Sequence, residues 1–268
     1  MIRLVAFDLD GTLMGSDQQI RPAVREAVAL TLEKGVTVTL ATGRMFSATV
    51  EFAKRLNITA PLICYQGGWI QAIGAEVLHR VPLSGELARE ALFVGRSHDW
   101  HTILYADGEL YIDALRHPLS FYEALLGPHP QVVPNLTRVL AAHTADKVLF
   151  VAEPNEIPNM NEVLVGRFGN TLEVVQSHEC FIEVVPRGVS KGRALAWLAD
   201  YKGLTRNAVL AAGDQQNDLS MIQWAGVGVA VDNAVEEVKQ AADWIAPSVD
   251  EDGAAAILYR YVLKEPTT

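Results

Sequence analysis

Apolar residues fall along this chain in two rhythms. Residues 2–7 (IRLVAF) make a short, nearly unbroken apolar run, the pattern of a strand buried on both faces. The following stretch, SDQQIRPAVREAVALTLEKG, reads as a helix, with Pro22 suited to its first turn and Gly35 to its end. Residues 36–41 (VTVTLA) are β-branched and short, hence a second strand. Residues 46–56 return to helical spacing, and residues 61–65 (PLICY) to strand. Strand and helix alternating over short connections predict parallel strands joined by right-handed crossovers.

The rhythm changes near Pro82. Residues 101–113 (HTILYADGELYID) hold two alternating runs around Asp107-Gly108, a strong hairpin signal. A strand at residues 147–152, a helix at 157–168 and two adjacent strands, LEVVQ and CFIEVV, follow. Hairpins mixed with helices predict an α+β unit with an antiparallel sheet. After PRGVSKG the first rhythm resumes, with a helix over 191–201 and a strand over 207–213. A helix after Asp218, the strand GVGVAV, another helix, the short WIA and a final helix from Gly253 complete it. The expected fold class is therefore α/β. A Rossmann-like parallel-sheet core over residues 1–82 and 187–268 is interrupted by an inserted α+β domain over 83–186.

Composition narrows the possible partners. The chain has 268 residues, half of them hydrophobic, and a formal net charge of −10. No basic stripe is present, so nucleic acid is not expected as a partner. A small phosphate ester remains possible, since it needs only local positive charge, which a metal ion provides. Acids appear too early for a signal peptide, and no stretch approaches a membrane span, so a cytoplasmic setting without membrane contact is expected. The two cysteines, Cys64 and Cys180, form no CxxC and read as small buried hydrophobes. Seven scattered histidines with no HExxH argue against zinc.

Ligands of open parallel sheets gather beyond the carboxyl ends of the strands. Three predicted core strands end in polar, glycine-rich turns: Asp8-Leu9-Asp10-Gly11-Thr12, Thr42-Gly43-Arg44, and Gly213-Asp214-Gln215-Gln216-Asn217-Asp218. Asp8 and Asp10, two residues apart, point into one space, and Asp214 adds a third carboxylate. A divalent cation resolves their repulsion, and an all-oxygen set suits Mg²⁺. One carboxylate can then attack phosphorus while another handles the leaving-group proton. The Thr42-Gly43 turn into a helix is an anion site, and Lys191, in a first helical turn capped by Ser190, makes most sense facing an anion. A calcium loop starting at Asp8 fails, because glycine comes fourth instead of sixth and Gln19 stands where the closing Glu belongs. Taken singly, Lys191 reads as a solvated surface lysine, while a helix cap is the lesser reading of the 214–218 stretch and a surface-acid partner an equal reading of Arg44.

Together, DLDGT, LATGR, Lys191 in GVSKG, and GDQQND resemble the four ordered motifs of the haloacid dehalogenase (HAD) phosphatase superfamily. Their spacing is similar to its Cof-type branch, subclass IIB, in which a cap is inserted between the second and third motifs. The resemblance implies Asp8 as nucleophile and Asp10 as general acid/base. It also implies Mg²⁺ held by Asp8, the backbone carbonyl of Asp10, and Asp214, with Asp218 behind the metal or on Lys191. Thr42, the Gly43 amide, Lys191 and Asn217 would bind or position the phosphoryl group. Relatives commonly carry Asn-Gly where this chain has Gln66-Gly67, Ser or Gly in place of Gln215, and Gly-Asn in place of Asp232-Asn233. Candidate leaving-group contacts are Arg44, the Gln66-Gly67 turn and the segment 178–183.

The function expected is a Mg²⁺-dependent phosphatase of a small phosphorylated metabolite, a sugar phosphate or a nucleotide- or vitamin-derived one, acting as a monomer or homodimer. A phosphomutase of the same subclass is the nearest alternative. A phospho-accepting signalling module fits less well, because the turn after residue 41 bears no acid and about a hundred residues are inserted.

Overall fold

Strand β1 (Leu4–Phe7) is wholly buried, and its alternate residues serve different layers. Leu4 and Ala6 pack with one apolar cluster, Val5 and Phe7 with another on the opposite face. A strand covered on both sides has no polar face to spare, which is why it reads as a continuous apolar run. The computed structural model describes residues 1–127 and 129–263. Residues 264–268, the tail of the expected core segment 187–268, lie outside the described residues.

Helix α1 (Pro22–Glu33) starts on its proline, and Gly35 leaves it at φ +75°, a conformation that favours glycine. Then come β2 (Thr37–Leu40), α2 (Phe46–Arg55) and β3 (Leu62–Cys64). The third strand departs from expectation. It touches the parallel sheet through one bridge, Ala41 to Ile63, and otherwise pairs antiparallel with β4 (Trp69–Gln71), itself paired with β5 (Val77–Arg80). Tyr65, Gln66 and Gly67 all have positive φ, and this tight reversal turns the chain back before β3 can extend the parallel ladder.

The stretch between Pro82 and Arg187 carries its own sheet. In chain order its elements are α3 (Gly85–Ser97), β6 (His101–Ala106), β7 (Glu109–Ile112), α4 (Leu119–Leu125), β8 (Gln131–Val132), α5 (Leu136–Val139), β9 (Ala145–Val151), α6 (Ile157–Phe168), β10 (Leu172–His178) and β11 (Phe181–Pro186). The six strands lie in the order β10-β11-β9-β6-β7-β8, antiparallel except for the last pair. Asp107 and Gly108, both at positive φ, make the expected hairpin turn. One face of this sheet, including Leu104, Phe150 and Val184, packs on α3 and α6.

The chain then returns through α7 (Lys191–Tyr201), β12 (Val209–Gly213), α8 (Leu219–Trp224), β13 (Val227–Val231), α9 (Glu236–Ala241), β14 (Trp244–Ala246) and α10 (Gly253–Leu258). The core sheet is fully parallel, in the order β14-β13-β12-β1-β2. Helices α1 and α10 cover one side of it, α7 and α8 the other. Register places the site, since Phe7 pairs with Ala212 on one side and Leu40 on the other. The next residues of β1, β2 and β12 therefore emerge at one edge, where parallel sheets bind ligands.

Candidate active site

Asp8 leaves the end of β1 with its N–H donating to the carbonyl of Ala212 at 2.9 Å. Its side chain is buried, and its Oδ1 accepts from Lys191 Nζ at 2.5 Å. The same ammonium donates to Asp218 Oδ1 at 2.6 Å, and only 1% of the Lys191 side chain is exposed. The reading of Lys191 as a surface lysine, suggested by the residue in isolation, is thus overturned. Ser190 caps the helix by accepting from the Arg193 N–H, as its sequence position suggests, and this sets the lysine at the sheet edge.

Asp214 follows β12. Its Oδ1 accepts from Thr12 Oγ1 at 2.9 Å and its Oδ2 from Gln215 Nε2 at 3.3 Å. Gly11, at φ +84°, is required beside it, because a Cβ there would stand 2.4 Å from Asp214 Oδ2. Asp218 Oδ2 accepts from the N–H groups of Asp214 and Gln215, closing the loop on itself. Asn233 braces the first turn from outside, donating to the carbonyl of Gly11 at 2.8 Å.

Among the described residues, Asp8, Asp214 and Asp218 each present an oxygen within 4.8 Å of the others. Three carboxylates against one lysine leave two negative charges, the complement of a divalent cation. Burial and then the charge of Asp218 raise Asp8 well above the usual carboxylate range, and the same two causes push Asp214 up to about 7. Burial works against the charge of Lys191, but Asp218 and Asp8 outweigh it and hold the ammonium protonated. Buried all-oxygen donors that repel one another in this way fit a hard divalent metal.

The carboxylate of Asp10 stands apart from that group. It is half exposed and forms a two-pronged pair with Arg44, whose Nε and second guanidinium nitrogen each lie 2.7 Å from an oxygen. Arg44 is buried in this pairing. Thr42 Oγ1 accepts from the Arg44 N–H at 3.1 Å and so shapes the turn. The Gly43 carbonyl accepts from Lys147 Nζ at 2.8 Å, a contact from the inserted sheet to the core.

Gln66 and Gly67, candidate leaving-group contacts, do not line the cavity; they brace it. Gln66 is buried, donates to Glu183 Oε1 at 3.0 Å and accepts from Asn217 Nδ2 at 3.0 Å. Gly67 packs so tightly that a Cβ would meet the carbonyl oxygen of Ser190 at 2.4 Å. Asn217 faces the cavity, and its Oδ1 is buried without a partner.

These groups open on a cavity of about 370 Å³, roofed by the inserted sheet. Asp8, Asp10, Thr42, Gly43, Arg44, Asp214 and Asn217 line its core side, with Tyr105, Lys147, Phe181 and Glu183 opposite. Lys147 was not foreseen. Its signal is a lysine within seven consecutive buried strand residues, matched by one acid, Glu183, inside the apolar run of β11. The two pair at 2.6 Å, each 2% exposed. Of the cysteines, Cys64 is buried and Cys180 partly exposed; both are free thiols.

The sequence profile of the haloacid dehalogenase-like hydrolases matches residues 5–258. The chain belongs to this family and is a hydrolase. Similar proteins include the 5-amino-6-(5-phospho-D-ribitylamino)uracil phosphatase YcsE of Bacillus subtilis, 32% identical over 98% of this chain and 96% of that protein. The pyridoxal phosphate phosphatase YbhA of Escherichia coli is 28% identical over 97% of this chain and 99% of its own. A solved haloacid dehalogenase-like hydrolase from Bacteroides thetaiotaomicron superposes with a TM-score of 0.85 at 31% identity, covering 97% of this chain and 99% of that one. Among the described residues no helix is long and apolar enough to cross a membrane.

Proposed function

We propose that this site hydrolyses phosphate monoesters of small metabolites through an aspartyl-phosphate on Asp8. The observation carrying the reading is Lys191, fully buried and bonded to Asp8 and Asp218 beside Asp214. An ammonium and a trio of acids buried together carry a surplus of negative charge that a divalent cation balances, and the cation in turn can hold a phosphoryl group. Mg²⁺ would be held by Asp8, the backbone carbonyl of Asp10, and Asp214, and when bound it supplies positive charge against the carboxylates and the phosphoryl oxygens.

The chain's own groups divide the remaining work. Lys191 takes Asp8 Oδ1, so Oδ2 is the oxygen that attacks phosphorus as the ester P–O bond breaks. Asp10 gives the leaving oxygen its proton, then takes one from the water that cleaves the acyl phosphate and restores Asp8. Arg44 grips both Asp10 oxygens at the cavity wall, so one of these two bonds must open for Asp10 to carry the proton. Thr42, the Gly43 amide and Asn217 hold the phosphoryl group, while Asp218 orients Lys191 and ties the loop. The segment 83–186 acts as a cap that excludes bulk water. YcsE and YbhA, whose names state phosphorylated metabolites as substrates, support the same substrate scale.

The test is a screen of phosphorylated metabolites with Mg²⁺, comparing the native chain with Asp8→Asn. Phosphate release in the native chain and its loss by at least about a thousandfold in the variant are expected. A fully active Asp8→Asn would overturn the nucleophile. Return of an isomeric phosphate ester instead of inorganic phosphate would make the protein a mutase.

A further inference from the structure

We propose that the alcohol released from the ester carries a flat aromatic or heteroaromatic ring with no second phosphate, and that the inserted sheet binds this ring. The inference rests on the phosphatase reading and names the kind of ester its site takes. The cavity divides its labour sharply. Among the described lining residues, every large apolar side chain comes from the inserted segment: Tyr105, Leu125, Leu126, Leu149 and Phe181. The core contributes only polar side chains and glycines. The phosphoryl end of a substrate therefore meets charge, and its other end meets these five apolar side chains, set among Lys147, Ser177, His178, Glu179 and Glu183.

Strand periodicity explains the wall. Residues two apart share a face, and the register sets Tyr105 beside Lys147, Ile103 beside Leu149, and Leu149 beside Glu183. Tyr105, Leu149 and Phe181 thus belong to the face of the sheet opposite the one that packs on α3 and α6. The two aromatic rings are braced by neighbours in the same apolar cluster. Tyr65 meets Tyr105 edge-on at 6.0 Å, and Phe121 meets Phe181 edge-on at 6.1 Å. A braced aromatic surface suits a planar ring, which it can stack or meet at an edge without reorganising.

The polar groups on the same face are already committed to one another. Lys147 donates to Glu183 and to the Gly43 carbonyl, and its Nζ lies 4.4 Å from the Tyr105 ring centroid. Glu183 also accepts from Gln66 and Ser177. A hexose turns hydroxyls in every direction, and each one buried without a partner is penalised. A second phosphate needs a cation, and Lys147 is the only lysine or arginine that the inserted segment brings to the described wall. A ring asks for less, an apolar face and a few polar contacts at its rim. His178 is placed to give one. Its Nδ1 faces the Cys180 N–H at 3.3 Å and the Cys180 Sγ at 3.0 Å, and its imidazole lies at the cavity wall, within reach of a polar group on the ring's rim.

The test measures Mg²⁺-dependent phosphate release from the primary phosphate esters of pyridoxine and of glucose, in the native chain and in Phe181→Leu. The pyridoxine ester should show kcat/KM at least about tenfold higher. Phe181→Leu should cut that value about two- to tenfold through KM, and the glucose value by less, with the melting temperature as a check on folding. Equal or reversed preference in the native chain, or a variant that slows both esters alike, overturns the inference and leaves the phosphatase reading standing. If neither ester releases phosphate, the wider metabolite screen decides the phosphatase reading. Calorimetric titration of both esters onto the native chain and Asp8→Asn then decides the ring, with tighter pyridoxine binding supporting it and equal affinity overturning it.

Discussion

Asp214 is raised from 3.8 to about 7 by its burial and by the charge of Asp218. A carboxyl raised in the fold holds its proton longer than in the unfolded chain. The metal-free protein should therefore be most stable in acid from this group, lose stability as pH climbs from about 4 to 7, and stay level above that. The full difference corresponds to about 4 kcal/mol as an upper bound. Asp214→Asn removes the repelling charge while keeping the shape. Metal-free Asp214→Asn should melt higher than the native chain at pH 8, and the two should converge near pH 4. Mg²⁺ should raise the native melting temperature at pH 8 and leave the variant unmoved; a native protein indifferent to Mg²⁺ refutes the metal site. Lys191→Met tests the opposite charge. It strands Asp8 and Asp218 without their buried partner, so a loss of about 3–5 kcal/mol in urea unfolding is expected, along with loss of turnover.

Between elements, the polar link from the inserted segment to the core runs through a few side chains. Lys147 on β9 reaches the Gly43 carbonyl, and Glu183 on β11 receives Gln66, which in turn holds Asn217. Removing one member of the buried Lys147–Glu183 pair leaves the other charge unpaired. Lys147→Met alone should lower stability by about 3–5 kcal/mol, and adding Glu183→Gln should recover at least half of it. Additive losses in that double-mutant cycle would show that the pair is not coupled. The same elements show what could be read without coordinates. The ends of β1, β2 and β12 were legible because doubly covered parallel strands stand out as apolar runs, and because polar, glycine-containing turns behind them have no structural reason to recur three times. The helix at Lys191 was legible from its serine cap, but the burial of the lysine was not, since only tertiary packing brings Asp8 and Asp218 to it across 183 and 27 residues. Strands β4 and β5 went unseen because their three- and four-residue lengths give periodicity too little to work on. Lys147 hid for a different reason: its partner lies on another strand, 36 residues away.

At the scale of the whole molecule, one apolar cluster runs from the core into the insert, joining Val5, Phe7 and Leu40 to Ile103, Tyr105 and Leu149. The carboxylate site and the apolar side chains opposite it are thus parts of one continuous packing unit, with the cavity between them. The chain that a substrate approaches has a net charge of −10, which the two charges of a bound Mg²⁺ reduce only to −8. Lys147 and Lys191 are both buried in ion pairs, so neither projects a field far into solvent. A phosphate dianion therefore approaches a surface that repels it at long range and attracts it only inside the cavity. Monovalent salt screens the long-range part over about 8–10 Å and leaves buried contacts nearly untouched. At fixed free Mg²⁺, kcat/KM should accordingly rise about twofold as KCl is raised from about 10 to about 150 mM, while kcat at saturation stays level. A fall in kcat/KM over the same range would mean that positive charge at the cavity mouth, and not the acidic surface, governs the approach of substrate.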